Sequence, residues 1–209
     1  GEQTSADTNL TSAFSVGTGV RVVNADKLFS QGSIVSTDNA LDLAVDGAGF
    51  FQVLLPDGRI GYTRNGTFSR NNEGALTTSS GFVIQPEVVI PEDAQEINVS
   101  SDGVVSVQLP GAVEQEEVGQ IELAEFQNRN GLQPIGESFY VETTASGEAI
   151  IANPLEGSFG KLVQGALESS NVSVVKELVD MIETQRAYEV NSKAISSVDE
   201  MLRFISNNL

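Results

Sequence analysis

The chain has 209 residues, of which 40% are hydrophobic and 19% charged, a composition typical of folded proteins. Its formal net charge of −18 at pH 7 argues against binding to nucleic acid or to an anionic membrane surface, because both attract Lys and Arg. The absence of His and Cys excludes histidine general-base catalysis, Ser-His-Asp and Cys-His nucleophiles, zinc sites built on imidazole or thiolate, and disulfides.

Residues 1–40 are predicted to form an extended arm. Residues 1–18 are rich in Ser, Thr, Gly, Asn and Asp, and their few apolar residues fit no regular period. The chain begins without Met and without the basic and hydrophobic regions of a signal peptide. We therefore expect no cleaved signal, and we expect natural upstream residues to be missing. No apolar run approaches the ~20 residues of a membrane span, so we expect no membrane insertion.

Residues 41–141 carry the pattern of an antiparallel β domain. Phe51, Val53 and Leu55 alternate with other residues and are followed by the turn signal at 56–58. Further turn signals recur every roughly 8–12 residues, a spacing typical of a small β sandwich or barrel. Residues 142–170 contain Pro154 and scattered glycines, and we interpret them as a looser return segment. The predicted fold is therefore mainly β with a long C-terminal α-helix.

The last segment, 171–209, is predicted to be a coiled-coil helix. No Gly or Pro occurs from 173 to 207, and Ser173 is a suitable N-cap. About 35 helical residues span about 50 Å. Apolar residues recur every seven positions, with companions that widen the apolar face. We predict that the following residues form an assembly interface, here called the apolar seam: Val174, Leu178, Met181, Ile182, Tyr188, Ile195, Val198, Leu202 and Ile205.

The alternative for this helix is that it covers the β domain as part of an ordinary core. Its length argues against that, because a domain of about 100 residues has a radius of gyration of only about 13 Å. An apolar seam with a seven-residue period favours partner helices instead. The sequence therefore predicts an assembly subunit that is not an enzyme.

Six short motifs in two regions of the chain resemble a known family. The C-terminal motifs are SSNV at 169–172, ELVDMI at 177–182, QRAYE at 185–189 and NSKA at 191–194. The others are DLAVDGAGFF at 42–51 and YTRNGTF at 62–68. Together they resemble the flagellar rod and hook proteins over nearly the whole chain. GTGVR at 17–21 and the length of the β region most resemble the distal-rod branch; a proximal-rod or hook subunit is the alternative.

The resemblance implies a structural subunit that polymerises into the tubular drive shaft between motor and hook. Such a subunit is exported by a type III pathway without a cleaved signal and occupies the periplasm-spanning rod of the basal body. Its implied partners are other copies of itself, proximal rod and hook subunits, and the bushing rings of the envelope.

The family pairs its C-terminal helix with an N-terminal helix around a central channel. We expect that N-terminal helix to be missing from this chain, and the resemblance implies that residues 1–20 correspond to part of a segment that stiffens the rod. We therefore expect this chain by itself to be largely monomeric, with a C-terminal helix that is frayed or differently paired.

Two other function classes remain open from the residues alone. A carboxylate-dependent hydrolase needs only two suitably placed acids, but the acidic run at 114–117 is more simply a solvated edge. A calcium site of the EF-hand type is not indicated, because the EF-hand spacing of acidic residues does not surround Asp42 or Asp46. Asp57 and Asp102 precede glycines and are interpreted as turn residues. A β-domain adhesin or binding module needs no apolar seam. We therefore predict no catalytic residue, cofactor or metal site.

Overall fold

The computed structural model describes residues 3–5, 8–9, 26–111 and 114–207. Two short strands at the start, β1 (Gln3–Ser5) and β2 (Thr8–Asn9), pair antiparallel. The rest of the predicted arm up to residue 25 lies outside the described residues.

The remaining strands belong mostly to one β domain. In chain order they are β3 (Ile34–Ser36), β4 (Leu43–Asp46), β5 (Phe50–Leu54), β6 (Ile60–Thr63), β7 (Phe68–Arg70), β8 (Leu76–Thr78), β9 (Ile84–Gln85), β10 (Glu96–Val99), β11 (Val104–Gln108), β12 (Glu116–Gln120), β13 (Leu123–Glu125), β14 (Gln133–Gly136), β15 (Phe139–Val141), β16 (Ile150–Ala152), β17 (Lys161–Gln164) and β18 (Ala166–Glu168). All the strand pairings among them are antiparallel, and a short 3₁₀ turn, Arg129–Gly131, separates β13 from β14.

The largest sheet has the order β14-β15-β6-β5-β13-β16, with β9 also paired to β5. Successive side chains of a strand point to opposite faces of the sheet, and β5 places an aromatic ring on each face. Phe51 enters the larger core, with Leu76, Ile84 and Ile121, whereas Phe50 enters a second core with Tyr62. The sheet is therefore covered on both faces, and the predicted fold of antiparallel sheets with one long helix is confirmed.

The segment predicted as a loose return path, 142–170, forms three strands on its way back. β17 pairs with β4, opposing Leu162 to Val45, and β18 pairs with β3. Leu162 and Ala166 are buried, so this segment completes the core around the earlier strands.

The C-terminal helix α1 comprises Val174–Asn207, 34 residues. It begins directly after Ser173, whose carbonyl accepts a hydrogen bond of 3.0 Å from the Glu177 amide. Every described side chain from 174 to 204 is exposed, so the helix does not cover the β domain. Among the described helices, none is long and apolar enough to span a membrane.

Candidate assembly surface and helix joint

The apolar seam lies on the exposed surface of α1. Eight of its nine residues have described side chains, and these range from 48% exposed at Ile182 to 76% at Tyr188. The side chain of Ile205 lies outside the described residues. Because an α-helix turns about 100° per residue, Leu178 and Val198 point to opposite sides of it. The structure therefore exposes the predicted residues but does not gather them on one side.

A charged pair lies at the end of β18, the last strand before the helix. Arg64 and Glu168 form a largely buried salt bridge, with Nη2 and Oε2 2.9 Å apart. The second carboxylate oxygen of Glu168 accepts a 2.8 Å hydrogen bond from the Gly32 amide in the arm. Nη1 of Arg64 also donates to the carbonyls of Gly47 and Gly49, at 2.9 and 2.7 Å. One guanidinium thus links three segments that are distant in sequence.

Two side-chain amides extend this joint. Gln31 donates to the carbonyl of Val45 and accepts from the Gly47 amide, both at 3.1 Å. Asn171, three residues before the helix, donates from Nδ2 to the carbonyls of Leu28 and Ser30 at 3.0 Å. The chain entering α1 is therefore fastened to the arm, and the arm to strand β4. We call Gln31, Arg64, Glu168 and Asn171 the helix joint.

Close backbone approach at the joint requires glycine. A Cβ on Gly32 would lie 1.8 Å from the carbonyl oxygen of Ser169. Gly47 has a φ of +120°, and a Cβ there would lie 2.7 Å from the Cα of Gly160. The contact at Gly47 gives a physical reason for one glycine of the 42–51 motif.

An aromatic cluster and an open cleft of about 570 Å³ lie beside the joint. Phe29 of the arm packs edge-on against Phe50 and Tyr140, with ring centroids 6.0 and 5.5 Å apart. The arm is therefore held to the β domain by apolar packing as well as by hydrogen bonds. Arg64 and Asn171 lie inside the motifs at 62–68 and 169–172, but neither motif indicates a joint, and Glu168 lies just before the second of them without any signal of its own.

The aspartates that the sequence offered as candidates, Asp42, Asp57 and Asp102, accept hydrogen bonds from neighbouring residues of the fold. Asp42 is buried and accepts hydrogen bonds from Thr37 Oγ1 and Asn39 Nδ2, at 2.8 and 2.9 Å. A hydrogen bond from the Arg59 side chain lowers the pKa of Asp57, and one from the Ser100 hydroxyl lowers the pKa of Asp102. In the part of the chain that the structure describes, no three potential metal ligands come together.

An antiparallel β domain with a core on each face of its main sheet, followed by a long helix that exposes many apolar side chains, is the architecture of a structural assembly subunit. The model described as "Flagellar hook protein FlgE/F/G D1 domain" matches residues 44–107. The model described as "Flagellar basal body rod FlgEFG protein C-terminal" matches residues 163–209. Together the two matches include Arg64, Glu168 and Asn171 of the helix joint and the whole of α1.

Curated relatives agree with these matches. Flagellar basal-body rod protein FlgG of Buchnera aphidicola (subspecies Schizaphis graminum) is 48% identical over 99% of this chain and 79% of the relative. FlgG of Caulobacter vibrioides is 44% identical over the same shares. Flagellar hook protein FlgE of Salmonella typhimurium is 42% identical, but over 56% of this chain and 29% of the relative. The chain belongs to the flagellar basal-body rod protein family.

Proposed function

We propose that this chain is a structural subunit of the distal rod, which polymerises into the tubular drive shaft that transmits torque from motor to hook. The observation that carries this proposal is the match to rod proteins named FlgG along 99% of the chain. The hook protein matches only part of the chain, which makes a hook subunit the weaker alternative. A structural role also suits a chain without His or Cys.

The proposed partners are other copies of this chain, proximal rod and hook subunits, and the bushing rings of the envelope. The proposed location is the periplasm-spanning rod, reached by export without a cleaved signal. The exposed apolar seam supports self-assembly, because apolar surface of this extent on a soluble chain marks an interaction site. The helix joint would carry force from the β domain into the helix, since it fixes the chain that enters α1.

The experiment is a single substitution in the seam, tested in a strain that lacks its own copy of the gene. Ile195 is 65% exposed, so Ile195→Asp leaves the fold intact but places a charge inside the proposed contact. We expect loss of rods and of motility, with the far-ultraviolet circular dichroism of the purified chain unchanged.

Ser196→Asp is the matched control, because it adds the same charge one residue along the exposed helix, away from Ile195. It should assemble rods at wild-type numbers in electron micrographs of basal bodies. Motile cells carrying Ile195→Asp would refute the assignment of the seam.

A further inference from the structure

The main sheet of the β domain ends at two edges that differ in their protection. At one edge, β14 contains Pro134, which has no N–H to donate, and its pairing with β15 is irregular between Pro134 and Gly136. At the other edge, β16 pairs with β13 in regular register and contains neither a proline nor a charged residue. Among the strands of the described residues, none pairs with the outer side of β16. Such an edge presents unpaired backbone N–H and C=O groups to an added strand.

Aliphatic side chains accompany this open edge. Ile150 and Ile151 of β16 are 51% and 50% exposed, and as neighbours in a strand they point to opposite faces of the sheet. Leu155 follows the strand closely and is 56% exposed. We call Ile150, Ile151 and Leu155 the edge patch. Apolar side chains left in water beside unpaired backbone groups mark a place where a partner strand adds to a sheet.

The backbone of Leu155 is strained. Its φ is +67°, in the left-handed region that bulky side chains rarely adopt and that glycine adopts readily. The turn around it is well fixed, because the Leu155 amide donates to the Gly160 carbonyl and the Glu156 amide to the Asn153 carbonyl, both at 3.1 Å. A leucine that is both strained and exposed adds little to folding stability, which indicates that its side chain serves a contact outside the fold.

The charge around the edge patch favours a basic partner. Glu148 and Glu156 flank the patch on either side, and both are exposed. Arg129 and Lys161, in segments that adjoin it, are already paired with acids of this chain. A second copy, with a net charge of −18, would bring the same acids to the contact, whereas a segment with Lys or Arg at its ends would neutralise them.

We infer that the edge patch binds an extended segment of a different protein, with aliphatic residues at its centre and Lys or Arg at its ends. The backbone of that segment pairs with the outer side of β16, and its aliphatic side chains cover Ile150, Ile151 and Leu155, as in other complexes formed by strand addition. Its basic ends meet Glu148 and Glu156. This docking site goes beyond the proposed function, because it is separate from any contact that α1 makes.

The probe is a synthetic peptide of alternating valine and threonine with lysines at both ends, titrated into the full chain. We expect saturable binding, together with slower amide hydrogen exchange at 150–152, because added strand pairing protects these amides. The same peptide with glutamates in place of the lysines should bind at least about tenfold more weakly, since its ends meet like charges.

Ile151→Thr tests the edge patch from the side of the protein. It keeps a β-branched side chain in β16 but removes apolar surface, so it should weaken binding of the lysine peptide by about fivefold. Ile135→Thr is the matched control, because Ile135 is 43% exposed on the opposite edge strand, β14. Binding of the peptide to this control should equal that of the wild type.

Leu155→Gly separates binding from stability. Glycine relieves the strain at a φ of +67°, so the midpoint of thermal unfolding should not fall. Binding of the lysine peptide should nevertheless weaken, because the leucine side chain is lost from the patch. A lower unfolding midpoint with unchanged binding would instead assign Leu155 to the fold and contradict its place in the docking site.

Three further results would overturn the inference. The first is that the lysine peptide fails to bind at millimolar concentration. The second is that the peptide slows hydrogen exchange at β14 and not at β16. The third is that Ile151→Thr and Ile135→Thr change its affinity equally. None of these results bears on the proposed assembly of rods, which is measured separately in cells.

Discussion

At the scale of single residues, burial in the fold shifts the pKa of Tyr62 by a large amount. Its ring is buried in the second core, beside Phe126 with ring centroids 4.7 Å apart. Burial, with a smaller contribution from the charge and hydrogen bonding of Glu142, raises its pKa from 10.0 to about 12. The folded state therefore holds the phenolic proton more tightly than the unfolded chain does.

This shift predicts a loss of stability at alkaline pH. Below pH 10 the tyrosine is protonated in both states, but between pH 10 and about 12 only the unfolded chain releases the proton. The free energy of unfolding should therefore fall across this window, by on the order of 2 kcal/mol from this group. Denaturant titrations at pH 9 and pH 11.5 measure the fall. Tyr62→Phe keeps the ring, and an equally steep fall in that variant would contradict the assignment to Tyr62.

At the scale of elements, the helix joint fixes the segment between β18 and α1, and we expect it to set how firmly the helix is attached. Arg64 donates to Glu168 and to two backbone carbonyls at once, a geometry that a single lysine ammonium cannot reproduce. We expect Arg64→Lys to lower the free energy of unfolding by about 1–3 kcal/mol. It should also speed proteolytic cleavage between the β domain and α1.

Arg59→Lys provides the matched control for the joint. The Arg59–Asp57 salt bridge is shorter than the Arg64–Glu168 pair, at 2.6 Å against 2.9 Å, but it lies on an exposed turn, where ion pairs contribute little. Denaturation and limited proteolysis of this variant should match the wild type. If the two variants behave alike, the joint does not fasten the helix.

The elements also show which features sequence can predict. Helix α1 was predictable because its signals are local: Ser173 at the start, and no Gly or Pro until beyond 207. Turns such as 56–58 are equally local. The pairing of β17 with β4 was not, because its partner lies more than a hundred residues earlier and no local pattern encodes it. The same holds for Glu168, whose role depends on Gly32 and Arg64 far away in the chain.

At the scale of the whole molecule, most of the net negative charge lies outside α1, the helix that carries most of the exposed apolar side chains. The 34 residues of α1 carry a net charge of −2, so −16 falls on the rest of the chain. Copies that add through their helices must bring these acidic regions side by side. The net negative charge therefore opposes assembly, and apolar contact along the helix has to outweigh it.

This balance predicts how self-association of the purified chain depends on salt. The screening length falls from about 10 Å at 0.1 M to about 3 Å at 1 M salt, so repulsion between acidic regions weakens while apolar contact does not. Sedimentation should show larger species as NaCl is raised across this range. Ile195→Asp should remove the response, because screening alone supplies no contact. Association that decreases with salt would instead indicate that attraction between opposite charges holds the copies together, since screening weakens attraction as much as repulsion.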